Sequence, residues 1–118
     1  MEFKDVVYGR RFVRNFKETP IDDSILEEII DAAMWALQDE GIVQSIAASM
    51  ENLVLSAYDH GVSSCWMTAT SQANMTKEIR DEFAPGHGEL VAVVALGYRE
   101  SEEPPKAPKR KQGKFVFI

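Results

Sequence analysis

The chain has 118 residues, 45% of them hydrophobic, with 13 basic and 19 acidic side chains and a net charge of −6. That length suits one domain and is short for two. The acidic balance argues against general nucleic-acid binding, which needs a basic face, and no apolar run reaches membrane-spanning length. The single cysteine, Cys65, excludes an internal disulfide and fits a reducing compartment. The opening residues Met1-Glu2-Phe3-Lys4-Asp5 show no basic-then-apolar leader, so a cytoplasmic location is expected.

Residues 2–9 read as a short helix with Phe3, Val6, Val7 and Tyr8 on an apolar side. A second helix opens at Asp22-Asp23-Ser24, each a capable N-cap, and Ser24 has capping-box spacing to Glu27. It runs to about Leu37, with Ile25, Leu26, Ile29, Ile30, Ala33 and Leu37 at helical spacing; Glu27, Glu28 and Asp31 form a solvated face. Gln38-Asp39-Glu40-Gly41 breaks the pattern. A third helix spans about 42–60 and stops at Gly61. Its small residues suit a core helix or a dimer seam.

Ser63 to Ala69 reads as a strand, 75–83 as a short helix capped by Asn74, and Pro85-Gly86-His87-Gly88 as a turn. Leu90 to Tyr98 is nearly all apolar, the pattern of a strand buried on both faces. The Pro/Lys-rich stretch 100–114 cannot pack a core of its own. It ends in Phe115-Val116-Phe117-Ile118, an apolar end expected to dock as an added strand, in its own subunit or, given the arm's length, in a neighbour.

Charge is unevenly placed. Arg10, Arg11, Arg14 and Lys17, with Lys106, Lys109, Arg110, Lys111 and Lys114, make nine of the thirteen basic residues. Neither 10–17 nor 106–114 contains an acid, so the rest of the chain carries 4 − 19 = −15. A fold that brings the ends together would give one anion pocket with two walls. The lysine-rich arm read alone is equally a solvated linker. Three arginines within five residues repel unless something offsets them. The other chemistry-bearing residues read as structural: Cys65 mid-strand, His60 at a helix end, His87 in a turn, and Trp35 and Trp66 as packing residues. Two histidines and one cysteine so scattered form no metal site.

Tyr8-Gly9-Arg10-Arg11-Phe12-Val13-Arg14-Asn15-Phe16 resembles the N-terminal signature of the nitroreductase family of FMN enzymes. Pro20-Ile21 with Leu26–Ala33, then Gly61–Met67, then Glu89–Tyr98, then the basic arm follow in the family's order. The resemblance implies an α+β fold with a central sheet flanked by helices. It also implies an intertwined homodimer whose C-terminal arm, 100–118, crosses from the 1–99 domain to the partner. It implies FMN held at its phosphate and ribityl chain by Arg10, Arg11 and Arg14 with Arg110 or Lys109, and at the ring edge near Met67 and Thr68. The activity it implies is electron transfer from NAD(P)H, through FMN, to a nitroaromatic- or quinone-like acceptor. The cofactor carries such chemistry, so no catalytic side chain is expected.

Two departures from the family pattern carry weight. Position 12, usually a small hydroxyl residue, is Phe12. The sequence also passes from Trp35-Ala36 almost directly into Leu37–Glu40, where the family has a flavin-contacting loop and two strands with an intervening helix. Such a deletion after residue 36 leaves about three strands, Ser63–Ala69, Leu90–Tyr98 and one from the arm, with exposed edges. The alternative functions are a non-catalytic homodimeric scaffold or a phosphorylated-ligand-binding module that has lost flavin chemistry. A third is an acidic protein partner docking on the two basic stretches.

Overall fold

The computed structural model describes residues 1–37, 43–67 and 75–118. Their elements are α1 (Phe3–Gly9), α2 (Asp23–Met34), α3 (Val43–Asp59), β1 (Ser63–Trp66), α4 (Thr76–Phe83) and β2 (Val94–Gly97). The architecture is α+β, as the sequence predicts.

Helices α2 and α3 form the scaffold. Ile29 and Ala33 of α2 and Val54 and Ala57 of α3 are buried, and Ile29, Ala57 and Val62 make the central cluster with Ile21, Ile25, Leu53, Leu96 and Tyr98 around it. A helix end leaves its last carbonyls without intrahelical partners. Side chains of α3 reach carbonyls at and just past the end of α2. Asn52 Nδ2 donates to Ala32 O at 3.2 Å, Ser49 Oγ to Ala33 O at 2.8 Å and Ser45 Oγ to Ala36 O at 3.4 Å. The partners ascend on one helix as they descend on the other, so the two helices are antiparallel. The small polar residues of α3 are therefore a seam to α2 within the subunit.

The end of α3 is fixed by Gly61. Its φ is +76°, Gly61 N–H donates to Tyr58 O at 3.0 Å and Val62 N–H to Ala57 O at 2.8 Å. This double closure is the Schellman stop, and glycine enters the left-handed region without strain. It also turns the chain so that Val62 enters the core and β1 begins.

The sheet has two antiparallel strands, with Ser63 opposite Gly97 and Trp66 opposite Val94. The nine-residue strand expected over Leu90–Tyr98 is shorter, and its residues 94–96 are half-buried. A strand is as long as its partner allows, and β1 pairs over four residues, with Met67 N–H reaching Val93 O at 2.9 Å beyond them. The arm contributes no third strand in its own chain: residues 100–118 are exposed and irregular. The basic segment flanks the sheet instead. Phe12 bridges Ser64 and Phe16 bridges Arg99, with Val13 N–H donating to Ser64 O at 2.8 Å and Lys17 N–H to Tyr98 O at 2.7 Å.

Other expectations need correction. Asp22 is the N-cap of α2 but its side chain makes no capping bond, and Ser24 lies inside the helix. Ile30 and Leu37 are 48% and 40% exposed, because the core contacts of α2 follow Ile29 and Ala33. Trp35 is 83% exposed rather than packed; it lies past the helix end, its indole N–H donating to Asp31 Oδ2 at 3.2 Å. Met75, not Asn74, is the N-cap of α4; Asn74, Thr68 and the end of the expected strand at Ala69 lie outside the described residues. No described helix is long and apolar enough to cross a membrane.

Candidate functional site

The two basic stretches meet. Arg10, Arg11 and Phe12 line one side of a concavity of about 370 Å³, Val7 and Tyr8 of α1 extend it, and Ala107, Pro108, Lys109 and Arg110 of the arm form the other side. Four cations surround this space. Arg14 is exposed and does not line it, and Met67 is 39% exposed and also lies outside the lining.

Local structure explains how the arginines are held. Helix α1 ends at Gly9, and Arg11 Nη1 donates to the terminal carbonyls of Tyr8 at 2.8 Å and Arg10 at 2.6 Å. A cation on the C-terminal carbonyls suits the helix dipole. Arg10 stacks its guanidinium over the Phe12 ring, 4.7 Å from the centroid, and its Nε lies 3.6 Å from Glu51 Oε1. Phe12 is thus a platform for an arginine, which offsets some of the repulsion within the cluster. Arg110 lies over the Tyr8 ring, 5.7 Å from its centroid. Neither aromatic contact follows from periodicity or charge; the signal in the sequence was the two aromatics, Tyr8 and Phe12, that flank Arg10 and Arg11.

Among the described residues the buried Nε atoms of Arg10 and Arg11 have no hydrogen-bond partner, Arg10 Nε keeping only its ion-pair neighbour Glu51. A buried donor without an acceptor costs about 1–3 kcal/mol, more when charged. An oxyanion in the concavity would offset the like charges of Arg10, Arg11, Lys109 and Arg110. The donor set fits a phosphate group, so the phosphate end of FMN suits the residues present.

Residues outside the concavity read as structural. Cys65 is half-buried in β1, its thiol 3.9 Å from Trp66 O. His60 Nδ1–H donates to Ser56 O at 2.9 Å, and its Nε2 meets the Glu28 carboxylate, to which it donates when the ring is protonated. The bond to Ser56 and then that to Glu28 raise its pKa above the usual histidine value. Glu28 therefore ties α2 to the end of α3, where a purely solvated face was expected.

This α+β domain thus carries a basic hollow assembled from both ends of the chain. The model of the nitroreductase family matches residues 38–98, more than half of the chain. The chain belongs to the nitroreductase family. The matched span contains Gly61–Met67 and Glu89–Tyr98, and the Tyr8–Phe16 signature lies before it. A comparison with curated proteins finds no match.

Solved structures share the fold. A nitroreductase with bound FMN from Bacteroides fragilis superposes with a TM-score of 0.83 at 16% identity, over 100% of this chain and 99% of that one. An FMN-dependent nitroreductase from Clostridium difficile gives 0.79 at 15% identity, over 98% of each chain. A nitroreductase family protein from Clostridium novyi gives 0.71 at 22% identity, over 85% of this chain and 86% of that one.

Proposed function

We propose that this chain is an FMN-dependent oxidoreductase that passes electrons from NAD(P)H to a nitroaromatic- or quinone-like acceptor, acting as a cytoplasmic homodimer. The observation that carries the reading is the convergence of Arg10 and Arg11 with Lys109 and Arg110 around one concavity. When bound, FMN supplies the hydride and electron transfer. The protein's part is to hold it. In this reading Arg10 and Arg11 take the phosphate from one side and Lys109 and Arg110 from the other. Arg14, Met67 and Thr68 are assigned to FMN by family resemblance alone, and the deletion after residue 36 is part of the same proposal.

The test is the visible spectrum of the protein after incubation with FMN and dialysis. A retained flavin spectrum supports the reading, and Arg10→Glu abolishes retention by placing a carboxylate against the phosphate. Flavin content unchanged in Arg10→Glu would overturn the site assignment.

A second reading is a non-catalytic homodimer or a module for another phosphorylated ligand. Two observations favour it. Arg11 spends one of its terminal nitrogens on the end of α1, and Phe12 gives no hydroxyl to a ribityl chain. Retention of a phosphorylated sugar with no retention of flavin is its expected signature.

A further inference from the structure

The arm makes little contact with the body. From Glu103 to Ile118 every residue is exposed, and among the described residues no hydrogen bond or ion pair joins this stretch to the domain. Its specific contact is Arg110 over the Tyr8 ring at 5.7 Å. That contact sits where approach is electrostatically adverse, because Lys109 and Arg110 come to face Arg10 and Arg11 across the concavity. The face of an aromatic ring carries negative potential and attracts a guanidinium.

Tyr8 itself is well anchored. Val6, two residues before it, is buried against the domain, and the Tyr8 carbonyl accepts from Arg11 Nη1. Tyr8 is 58% exposed, so it is presented to the arm rather than packed in the core.

We propose that Tyr8 is a positioning residue that latches the C-terminal arm, its ring holding Arg110 so that the arm's cations close the basic concavity opposite Arg10 and Arg11. This rests on reading that concavity as an anion site. An anion lowers the repulsion between the two walls and the ring fixes the arm's register, so each favours the other. The phenolic hydroxyl has no part in the latch, because the ring face is what meets the guanidinium.

Trypsin cleavage in the arm at Lys109–Lys111, followed by mass spectrometry, reads the open population directly. The latch predicts that Tyr8→Leu speeds cleavage of the ligand-free protein about two- to fivefold, the range of an exposed cation–π contact. Tyr8→Phe stays at the wild-type rate. In a background carrying Arg110→Gln, Tyr8→Leu has no further effect. FMN slows cleavage of the wild type, and Tyr8→Leu weakens FMN binding, measured by quenching of flavin fluorescence, by the same factor while leaving riboflavin binding unaltered. Equal helicity and unfolding midpoint in Tyr8→Leu establish that the fold is intact.

A Tyr8→Leu cleavage rate indistinguishable from wild type overturns the latch. So does an equal rise in Tyr8→Phe, which would assign the contact to the hydroxyl. If the wild type binds no FMN, the flavin reading fails, and the ligand-free cleavage comparison still decides the latch.

Discussion

Replacing Gly97 with alanine tests how the sheet positions the arginines. A Cβ at Gly97 would lie 2.8 Å from Phe16 Cδ1, 2.9 Å from Cγ and 3.0 Å from Cβ. Carbon atoms prefer about 3.5–4.0 Å, so the overlap is roughly 0.5–1 Å. The Phe16 ring is not free to withdraw, because its backbone bridges Arg99 and its neighbours make Lys17 N–H to Tyr98 O at 2.7 Å and Glu100 N–H to Asn15 O at 3.1 Å. Overpacking of this kind costs about 1–3 kcal/mol, a large share of a small domain's stability. Urea unfolding followed by far-ultraviolet circular dichroism should show that loss as a lower midpoint with an unchanged slope. Phe16→Ala also destabilises, but it removes the ring atoms that the new methyl meets. The double variant should therefore be more stable than the sum of the two losses by about 1 kcal/mol, a coupling expected for residues in contact. Additivity within about 0.5 kcal/mol would refute the claim that Gly97 is needed for this close approach.

Two further outcomes follow from single groups. His60 is protonated more readily in the folded chain than in the unfolded one, so folding takes up a proton. Its bonds to Ser56 and Glu28 stabilise fully below the ordinary histidine value of 6.5, and this is lost as pH rises through the raised folded value. Glu28→Gln should flatten that dependence in unfolding curves between pH 5 and 8, with a loss at low pH under about 1 kcal/mol, since the pair is partly exposed; a slope equal to wild type would count against it. Ser64 is 1% exposed and its hydroxyl has no hydrogen-bond partner among the described residues, so Ser64→Ala should raise the unfolding free energy by about 1 kcal/mol. A loss of that size would reveal a partner for the hydroxyl.

What the sequence revealed depended on whether a local signal decided the outcome. Gly61 stops α3 because a left-handed stop is a property of a few adjacent residues, and the glycine marks it. The apolar spacing of Ile25, Ile29 and Ala33 located the buried stripe of α2 for the same reason. The clustering of positive charge into two acid-free stretches was also legible, but that they meet depended on the fold bringing the chain's ends together. The extent of β2 was not legible. An apolar run from Leu90 to Tyr98 reports burial, yet strand length is set by the partner, and nothing inside the run states how far β1 extends. Trp35 failed similarly. Its position continues the helical pattern, but α2 ends at Met34 and the ring turns outward onto Asp31. The support of Arg110 by Tyr8 required knowing that the arm folds back onto α1.

That return of the arm bears on how two copies could associate. Phe115, Val116, Phe117 and Ile118 are 82% exposed or more. Four exposed apolar residues in a row are poorly placed in water unless another surface covers them. Arg110 is already engaged on Tyr8 of its own chain, so the tail available to a partner begins only five residues later. Five extended residues span roughly 17 Å. If the tail docks on a second copy, the partner surface must come within about that distance of the basic concavity, and dimerisation then places the partner beside the proposed FMN phosphate site. Truncation after Lys114 leaves Arg110 and the concavity intact while removing the tail. The expected result, read by analytical ultracentrifugation across a protein concentration series, is a shift toward monomer with the helicity of the full chain. FMN retention should fall with the dimer and return when protein concentration restores it. A truncated chain as dimeric as the full one would mean that the tail is no part of the association, and the coupling between dimer and flavin site would fall with it.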